Sequence, residues 1–391
     1  MQSFDVIVVG LGAMGSAAVC QLSKRGVKVL GLDQYSPPHT LGSTHGETRI
    51  TRQAIGEGSE YVPLVLRSNE IWRELEKNSG QSLFTITGGL IVGDPSSVES
   101  THGTKNFLLQ TIDVAKRFGI SHEVLENEEL KKRYPLFKFR DSEKGYYENG
   151  AGFLRPELCV EIQIGLAQKN GAELHMDEKV LEIKPEGAQV SIKTDKSEYK
   201  AGQLIVTAGP WISQLLPEFK DYFKVYRQVL YWFKVKDSMK KYLSSTLPVY
   251  IFDLGGGDDI YGFPMIDEDE GTLKLACEDY LVTMTPEQVN REVGADEVAR
   301  MYDLASQHIL GLSEECVRTS TCLYTVTPDS KFVIDRHPTF KQVIVASPCS
   351  GHGFKSSAAI GEVLAELATV GKSSIDISDF SLVRHYNVLT M

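Results

Sequence analysis

Apolar and polar positions alternate along this chain in two rhythms, and each change of rhythm marks an element. Phe4-Asp-Val-Ile-Val-Val reads as a buried strand, Ser16 to Lys24 as a helix, and Val27-Lys-Val-Leu-Gly-Leu as a second strand closing at Asp33. Val62, Leu66, Ile71, Trp72 and Leu75 stand at helical spacing within residues 60–77. Residues 82–93 look like strands broken by glycines. Helices are expected at about 104–118 and 127–133, a strand at 145–150, and a helix from Arg155 to Lys169. Strand character then dominates: residues 180–184, 189–194 and 198–200 form a meander, and Leu204-Ile-Val-Thr-Ala-Gly-Pro-Trp211 is a buried strand ending in a Gly/Pro turn. From 218 to 320 aromatic-rich strands (Tyr226–Val235, Val249–Leu254, Ile260–Met265, Leu273–Cys277) precede helices at about 285–310. The tail adds strands at 332–335 and 343–346, and Ser350-Gly-His-Gly-Phe-Lys355 opens a helix reaching about Leu367.

The first strand runs into Gly10-Leu-Gly12-Ala-Met-Gly15, a G-x-G-x-x-G turn inside a βαβ unit. Gly10 permits the tight turn, Gly12 lets backbone N–H groups reach a pyrophosphate, and Gly15 lets helix and strand approach closely. The helix N-terminus turns its positive end toward the anion. Asp33 lies 18 residues beyond Gly15, where a carboxylate accepts hydrogen bonds from a ribose, and it suits an unphosphorylated ribose better than a 2′-phosphate. FAD and NAD both fit this motif. The long insert of loop, helix and glycine-rich strands after Asp33 then favours a flavoprotein, in which several distant segments converge on an extended cofactor.

With 391 residues the chain has room for two domains and a sizeable core. The tail returns to the first unit, so the two are interleaved: residues 1–80, 150–217 and 321–391 form the cofactor domain, and 81–149 and 218–320 the substrate domain. The fold class expected is α/β, a Rossmann-type FAD-binding domain interleaved with an antiparallel β-sheet domain flanked by helices. A formal charge of −11 argues against a nucleic-acid partner. No apolar run approaches the roughly 18–20 residues of a membrane span. Six scattered cysteines without metal spacing, and no leader before the first strand, lead us to expect reduced thiols, no metal and a cytoplasmic protein.

Pro37-Pro-His-Thr-Leu-Gly-Ser-Thr-His-Gly-Glu-Thr-Arg-Ile-Thr-Arg52 resembles the monomeric sarcosine oxidase and N-methyltryptophan oxidase family of flavoenzymes. So do Gly56-Glu-Gly-Ser-Glu-Tyr-Val-Pro-Leu, Tyr226-Arg-Gln, Tyr261-Gly-Phe-Pro, Cys322-Leu-Tyr324 and Ser350-Gly-His-Gly-Phe-Lys355, in order along essentially the whole chain. The resemblance implies a glutathione-reductase-like FAD domain and a monomer. It also implies oxidation of a secondary (N-methyl or N-alkyl) amino acid to an imine that hydrolyses, with O₂ reduced to H₂O₂. Two other readings are open: a dehydrogenase or oxidase of primary or cyclic amino acids with a non-oxygen acceptor, and an inactive flavin-binding subunit.

Residue by residue, the resemblance assigns Cys322 to covalent flavin attachment through a thioether. It sets His45, Thr48 and Arg49 beside the flavin ring, where a guanidinium stabilises negative charge. Arg52 and Lys355 match the pair that binds the substrate carboxylate, and Lys274 the lysine that activates O₂. Tyr261 and Tyr324 match pocket aromatics. The N–H groups of the Gly351/Gly353 loop are suited to a flavin carbonyl. His352 within that loop reads as either a backbone-bonded spacer or a catalyst. The bland alternatives are solvent exposure for Lys274, which alternates with Leu273 and Leu275, and plain core packing for the tyrosines and Cys322. One position departs from the family: Glu278 stands where a histidine is expected near the substrate amine. A carboxylate there favours a protonated amine or a substrate with an extra cation, and puts sarcosine itself in doubt.

Overall fold

The computed structural model describes residues 2–385 apart from 99–105, 237–238, 267 and 269. Among the described residues the strands form an eight-stranded sheet, a nine-stranded sheet and a small three-stranded one. In the first, Gln2–Val9 lies between Val29–Leu32 and Glu198–Val206, parallel to both. Glu173–His175 extends it on one side and Val343–Ser347 on the other, both parallel. The hairpin Val180–Glu186/Gln189–Thr194 joins antiparallel to Glu198–Val206. Strands buried on both faces are nearly all apolar, as Val29–Leu32 and, up to its last residue, Val343–Ser347 are here, because helices cover them. The helix Ala13–Lys24 packs against Pro156–Lys169 and Ser357–Thr369, with Gly361 of the last helix directly against Ala17.

The second sheet is built on Lys224–Val235, which pairs along nearly its whole length with Leu312–Val326 and on its other side with Thr272–Ala276. Asp258–Gly262, Val249–Gly255, Gly89–Gly93, Lys144–Glu148 and Glu123–Leu125 continue it in that order. This sheet is mixed, where the residue pattern led us to expect an antiparallel one, because Val249–Gly255 runs parallel to Gly89–Gly93. The chain passes through the first sheet between those two segments, the long crossover that a parallel pair requires. Arg49–Thr51, Gly152–Leu154 and Phe84–Ile86 form the third sheet between the two layers.

Several element ends differ from expectation for local reasons. The first helix begins at Ala13, so Gly15 lies inside it; a Cβ on Gly15 would sit 1.7 Å from the Gly10 carbonyl oxygen. Glu198–Val206 is one continuous strand through Gly202. The 285–310 stretch divides into a turn at Pro286–Gln288 and a helix at Ala295–Ser306 that begins after Gly294. The helix expected from 104 has its first residues outside the described part; its described portion is Phe107–Phe118, capped by the Asn106 side chain accepting from Leu109 N–H at 2.9 Å. No helix of the described residues is long and apolar enough to cross a membrane.

Candidate active site

A cavity of about 390 Å³ runs from the first helix N-terminus to the interface with the second sheet. At one end it is lined by Gly10, Gly12, Ala13 and Asp33. The first turn of the helix carries no acidic residue, leaving its positive end to an anion. Asp33 is buried and accepts the Leu11 N–H at 2.7 Å and the Tyr35 N–H at 2.9 Å, which fixes its carboxylate at the end of the second strand. Burial pushes its pKa up, while those two N–H groups pull against the rise.

Past the βαβ turn the wall is the loop from Ser43 to Thr51, clamped from three directions. Glu157 Oε1, in the first turn of the Pro156–Lys169 helix, accepts the Gly46 N–H at 2.6 Å and the Glu47 N–H at 3.1 Å. Glu47 accepts from Trp232 Nε1 at 3.1 Å and pairs with Arg318. Lys274 reaches up from the second sheet, its Nζ donating to Gly46 O at 2.5 Å, Thr48 O at 2.8 Å and Thr48 Oγ1 at 3.1 Å. Solvent exposure is therefore the wrong reading of Lys274: it is 4% exposed, and its ammonium lies 4.5 Å from the Phe263 ring centroid. Burial and then Arg49 lower its pKa well below the ordinary lysine value.

This clamping aims Arg49 into the cavity, with its guanidinium donating to Thr48 O and Ser43 O, both at 2.9 Å. His45 and Thr48 lie behind it, buried and off the cavity wall. Burial, then Arg49 and Lys274, bring the His45 pKa down to about 3, so the imidazole is neutral at physiological pH.

At the far end Arg52 and Lys355 line the cavity together, although 303 residues separate them in sequence. Glu57 holds the pair: its Oε2 accepts from Arg52 at 2.6 Å, and its Oε1 lies 3.9 Å from Lys355 Nζ. Arg52 also donates to Ala54 O at 2.5 Å and stacks over Phe107 with its Cζ 5.0 Å from the ring centroid. Lys355 donates to His352 O at 2.5 Å; burial brings its pKa down to about 8, against the upward pull of Glu57. His352 is wedged between the Tyr61 and Phe332 rings, with centroids 4.9 and 4.7 Å away; its backbone N–H donates to Cys349 O, and its Nδ1 lies 4.0 Å from Glu57 Oε1 on the cavity wall.

Leu312–Val326 supplies Cys322 and Tyr324 on one face, two residues apart. Tyr324 lines the cavity with its hydroxyl 3.3 Å from that of Tyr261, and Glu278 completes this wall. Cys322 is fully buried beneath the wall. Burial raises its thiol pKa, and Arg49 and Lys274 pull it back down. The cysteine that lines the cavity is Cys349. Of the expected site residues, Gly10, Gly12, Asp33, Arg49, Arg52, Tyr261, Glu278, Tyr324, Gly351, Gly353 and Lys355 share this one cavity, while Gly15, His45, Thr48, Lys274 and Cys322 support it from behind.

Reading residue types missed Glu57, Glu157, Tyr280 and Cys349. Glu57 had a signal, a carboxylate between Gly56 and Gly58 five residues after Arg52. The other three carry no local pattern and become visible only when the segments meet.

A helix terminus free of acid, a buried carboxylate at the end of the second strand and a buried guanidinium line one cavity, a set that fits a dinucleotide cofactor. The fold and site define an oxidoreductase of the two-layer, nucleotide-cofactor class. The chain belongs to the FAD dependent oxidoreductase family, whose model matches residues 5–367, and within it to the monomeric sarcosine oxidase and N-methyltryptophan oxidase group. It is 39% identical over 379 residues to a monomeric sarcosine oxidase of Streptomyces avermitilis, covering 97% of each chain. It is 33% identical over 383 residues to an N-methyl-L-tryptophan oxidase of Yersinia pestis, covering 97% of this chain and 99% of that one. Among solved structures it resembles the open form of NikD, an amino acid oxidase essential for nikkomycin biosynthesis, with a TM-score of 0.84, 23% identity and coverage of 97% and 98%.

Proposed function

We propose that this protein is an FAD-dependent oxidase of a secondary, N-methyl or N-alkyl, amino acid, acting as a monomer. The observation that carries the reading is the meeting of Arg52 and Lys355, bridged by Glu57, on the wall of the cavity that Arg49 also lines. A planar fork and a point charge there suit a carboxylate, and the wall formed by Tyr261 and Tyr324 suits the small apolar groups around the nitrogen. When bound, FAD supplies the two-electron chemistry that takes the N–CH bond to an imine and passes the electrons to O₂, giving H₂O₂. The chain's own residues do the rest. Gly10, Gly12 and the helix N-terminus hold the pyrophosphate, and Asp33 the ribose. Arg49 would present positive charge to the flavin ring, with His45 and Thr48 supporting its loop, and the Gly351 and Gly353 N–H groups would be suited to a ring carbonyl. Cys322 holds the flavin covalently through its thiol. Lys274 is the O₂-activating cation, held in place by its bonds to Gly46 and Thr48.

In this reading residues 1–80, 150–217 and 321–391 carry the cofactor, and 81–149 and 218–320 close over the substrate. The test is a peroxide assay of the purified yellow protein across N-alkyl amino acids, coupled to acid precipitation. Catalase-sensitive peroxide, with flavin retained in the pellet of the wild type and of Cys349→Ser but released from Cys322→Ser, is the expected result. Reduction of an artificial dye without peroxide would move the protein to the dehydrogenases, and no reduction by any amino acid would make it a flavin-binding subunit.

A further inference from the structure

Glu278 lies on the cavity wall shared by Arg52 and Lys355. Its Oε2 accepts a hydrogen bond from Tyr280 Oη at 2.6 Å, and its backbone N–H is held by Asp259 Oδ1 at 3.0 Å. A Cβ placed on Gly351 would come 2.8 Å from Glu278 Oε1 and 3.2 Å from Tyr324 Cε2, so the carboxylate lies between the glycine loop and the tyrosine wall. The backbone at Gly351 has φ +84°, a conformation that favours glycine and brings the loop this close.

The charges at this end set a constraint. Arg52 is taken up by Glu57, and Lys355 faces both Glu57 and Glu278. With all of them ionised, Arg49, Arg52 and Lys355 balance Glu57, Glu278 and Asp259 along the cavity. A substrate carboxylate entering alone then leaves a buried excess of negative charge, which is costly away from water. A zwitterion brings a compensating proton on its nitrogen, but the nitrogen is oxidised only once its lone pair is free.

We propose that Glu278 is the proton acceptor for the substrate's ammonium group, so that the enzyme binds its amino acid as the zwitterion and generates the neutral amine in place. This rests on the amino acid oxidase reading above. In the step an N–H bond of the ammonium breaks and an O–H bond forms on Glu278; no electrons change hands, and the summed charge of site and substrate stays at its value before binding. The groups facing Glu278 are Tyr280 on its own segment, Asp259 on the neighbouring strand, Glu57 and Lys355 across the cavity, Tyr261 and Tyr324 beside it, and Cys322 behind them. Burial raises the Glu278 pKa to about 7, with Tyr280 drawing it down, Glu57 pushing it up and Lys355 drawing it down. The acceptor is therefore ionised above neutrality and close enough to neutrality to hold the proton.

The experiment uses the holoenzyme and two probes. Methoxyacetate is an amine-free carboxylate shaped like sarcosine, and its binding is followed by flavin absorbance and calorimetric proton uptake. Wild-type affinity is expected to fall about tenfold per pH unit above roughly pH 7, with one proton taken up, and more steeply once Lys355 discharges near 8, while Glu278→Gln keeps only the Lys355 step. N-methyl amino acids should reduce wild-type flavin with kcat/KM level between about pH 7 and the Lys355 pKa of about 8. In Glu278→Gln it should rise about tenfold per unit over the same interval, because only the free amine then reacts. Tyr280→Phe, which keeps the carboxylate, should move the methoxyacetate break to higher pH. A wild-type methoxyacetate profile without the break, or Glu278→Gln with the wild-type slopes, overturns the proposal. If the break is present and lost in Glu278→Gln while no amino acid reduces the flavin, Glu278 stands as the carboxylate-linked proton site and the oxidase reading falls.

Discussion

The two ends of the cavity are built from different materials. At the nucleotide end the work is done by backbone: a glycine turn, a helix terminus and one carboxylate fixed by two N–H groups, all drawn from residues 10–35. At the substrate end it is done by side chains of opposite charge, Arg52, Glu57, Lys355 and Glu278, from three distant stretches. Backbone geometry tolerates the loss of one contact, because its neighbours still hold the shape. A balanced set of buried charges does not, since each ion removed strands its partner in a poorly solvating interior. The nucleotide end should therefore degrade gradually under mutation, and the substrate end abruptly.

Arg52→Met tests this most severely. It leaves Glu57 buried without its guanidinium and should cost about 3–5 kcal/mol of stability, read by denaturant unfolding. Most of that loss should return in Arg52→Met/Glu57→Gln, while turnover stays down by about a thousandfold or more in both. Recovery of turnover in the double variant would remove Arg52 from substrate binding. Next in size is Lys274→Met, expected to slow flavin reoxidation by O₂ on the order of a hundredfold in stopped flow, by loss of one aimed charge. Amine-driven reduction should change far less. Equal effects on both half-reactions would mean that Lys274 acts only by holding Gly46 and Thr48. Made in the Cys322→Ser background, where no thioether holds the flavin, Asp33→Asn should be mildest, weakening FAD binding by about tenfold at most, since the Asn carbonyl still accepts one of the two N–H groups. A total loss of FAD would erase the contrast between the ends.

The same division explains what was legible in the amino-acid sequence. The βαβ unit is a local object: its strand, turn, helix and closing Asp33 fall within 33 residues, and each obeys a spacing rule. The first sheet could be read for that reason. The mixed pairing of Val249–Gly255 with Gly89–Gly93 could not, because no periodicity encodes which distant strand becomes a neighbour. At the site, Arg49, Arg52 and Lys355 stood out through motif resemblance, whereas the burial of Lys274 ran against its alternation with Leu273 and Leu275. That alternation told only that its side chain leaves the face its neighbours occupy; the loop that covers it comes from 226 residues away. Glu57 and Tyr280 acquire their significance from their partners, and partners are a property of the fold.

Leu312–Val326 crosses from the exposed margin of the second sheet to the cavity wall without interruption. Its fifteen residues amount to a rod of about 50 Å. It is zipped to Lys224–Val235, and at its inner end the glycine loop is tied to it where Ser350 N–H donates to Thr325 O at 3.0 Å. A beam shared in this way ties the glycine loop to the second sheet along that line. Hydrogen exchange should find the amides of residues 320–326 among the slowest in the chain, opening only with global unfolding, and calorimetry should record one melting event for both layers.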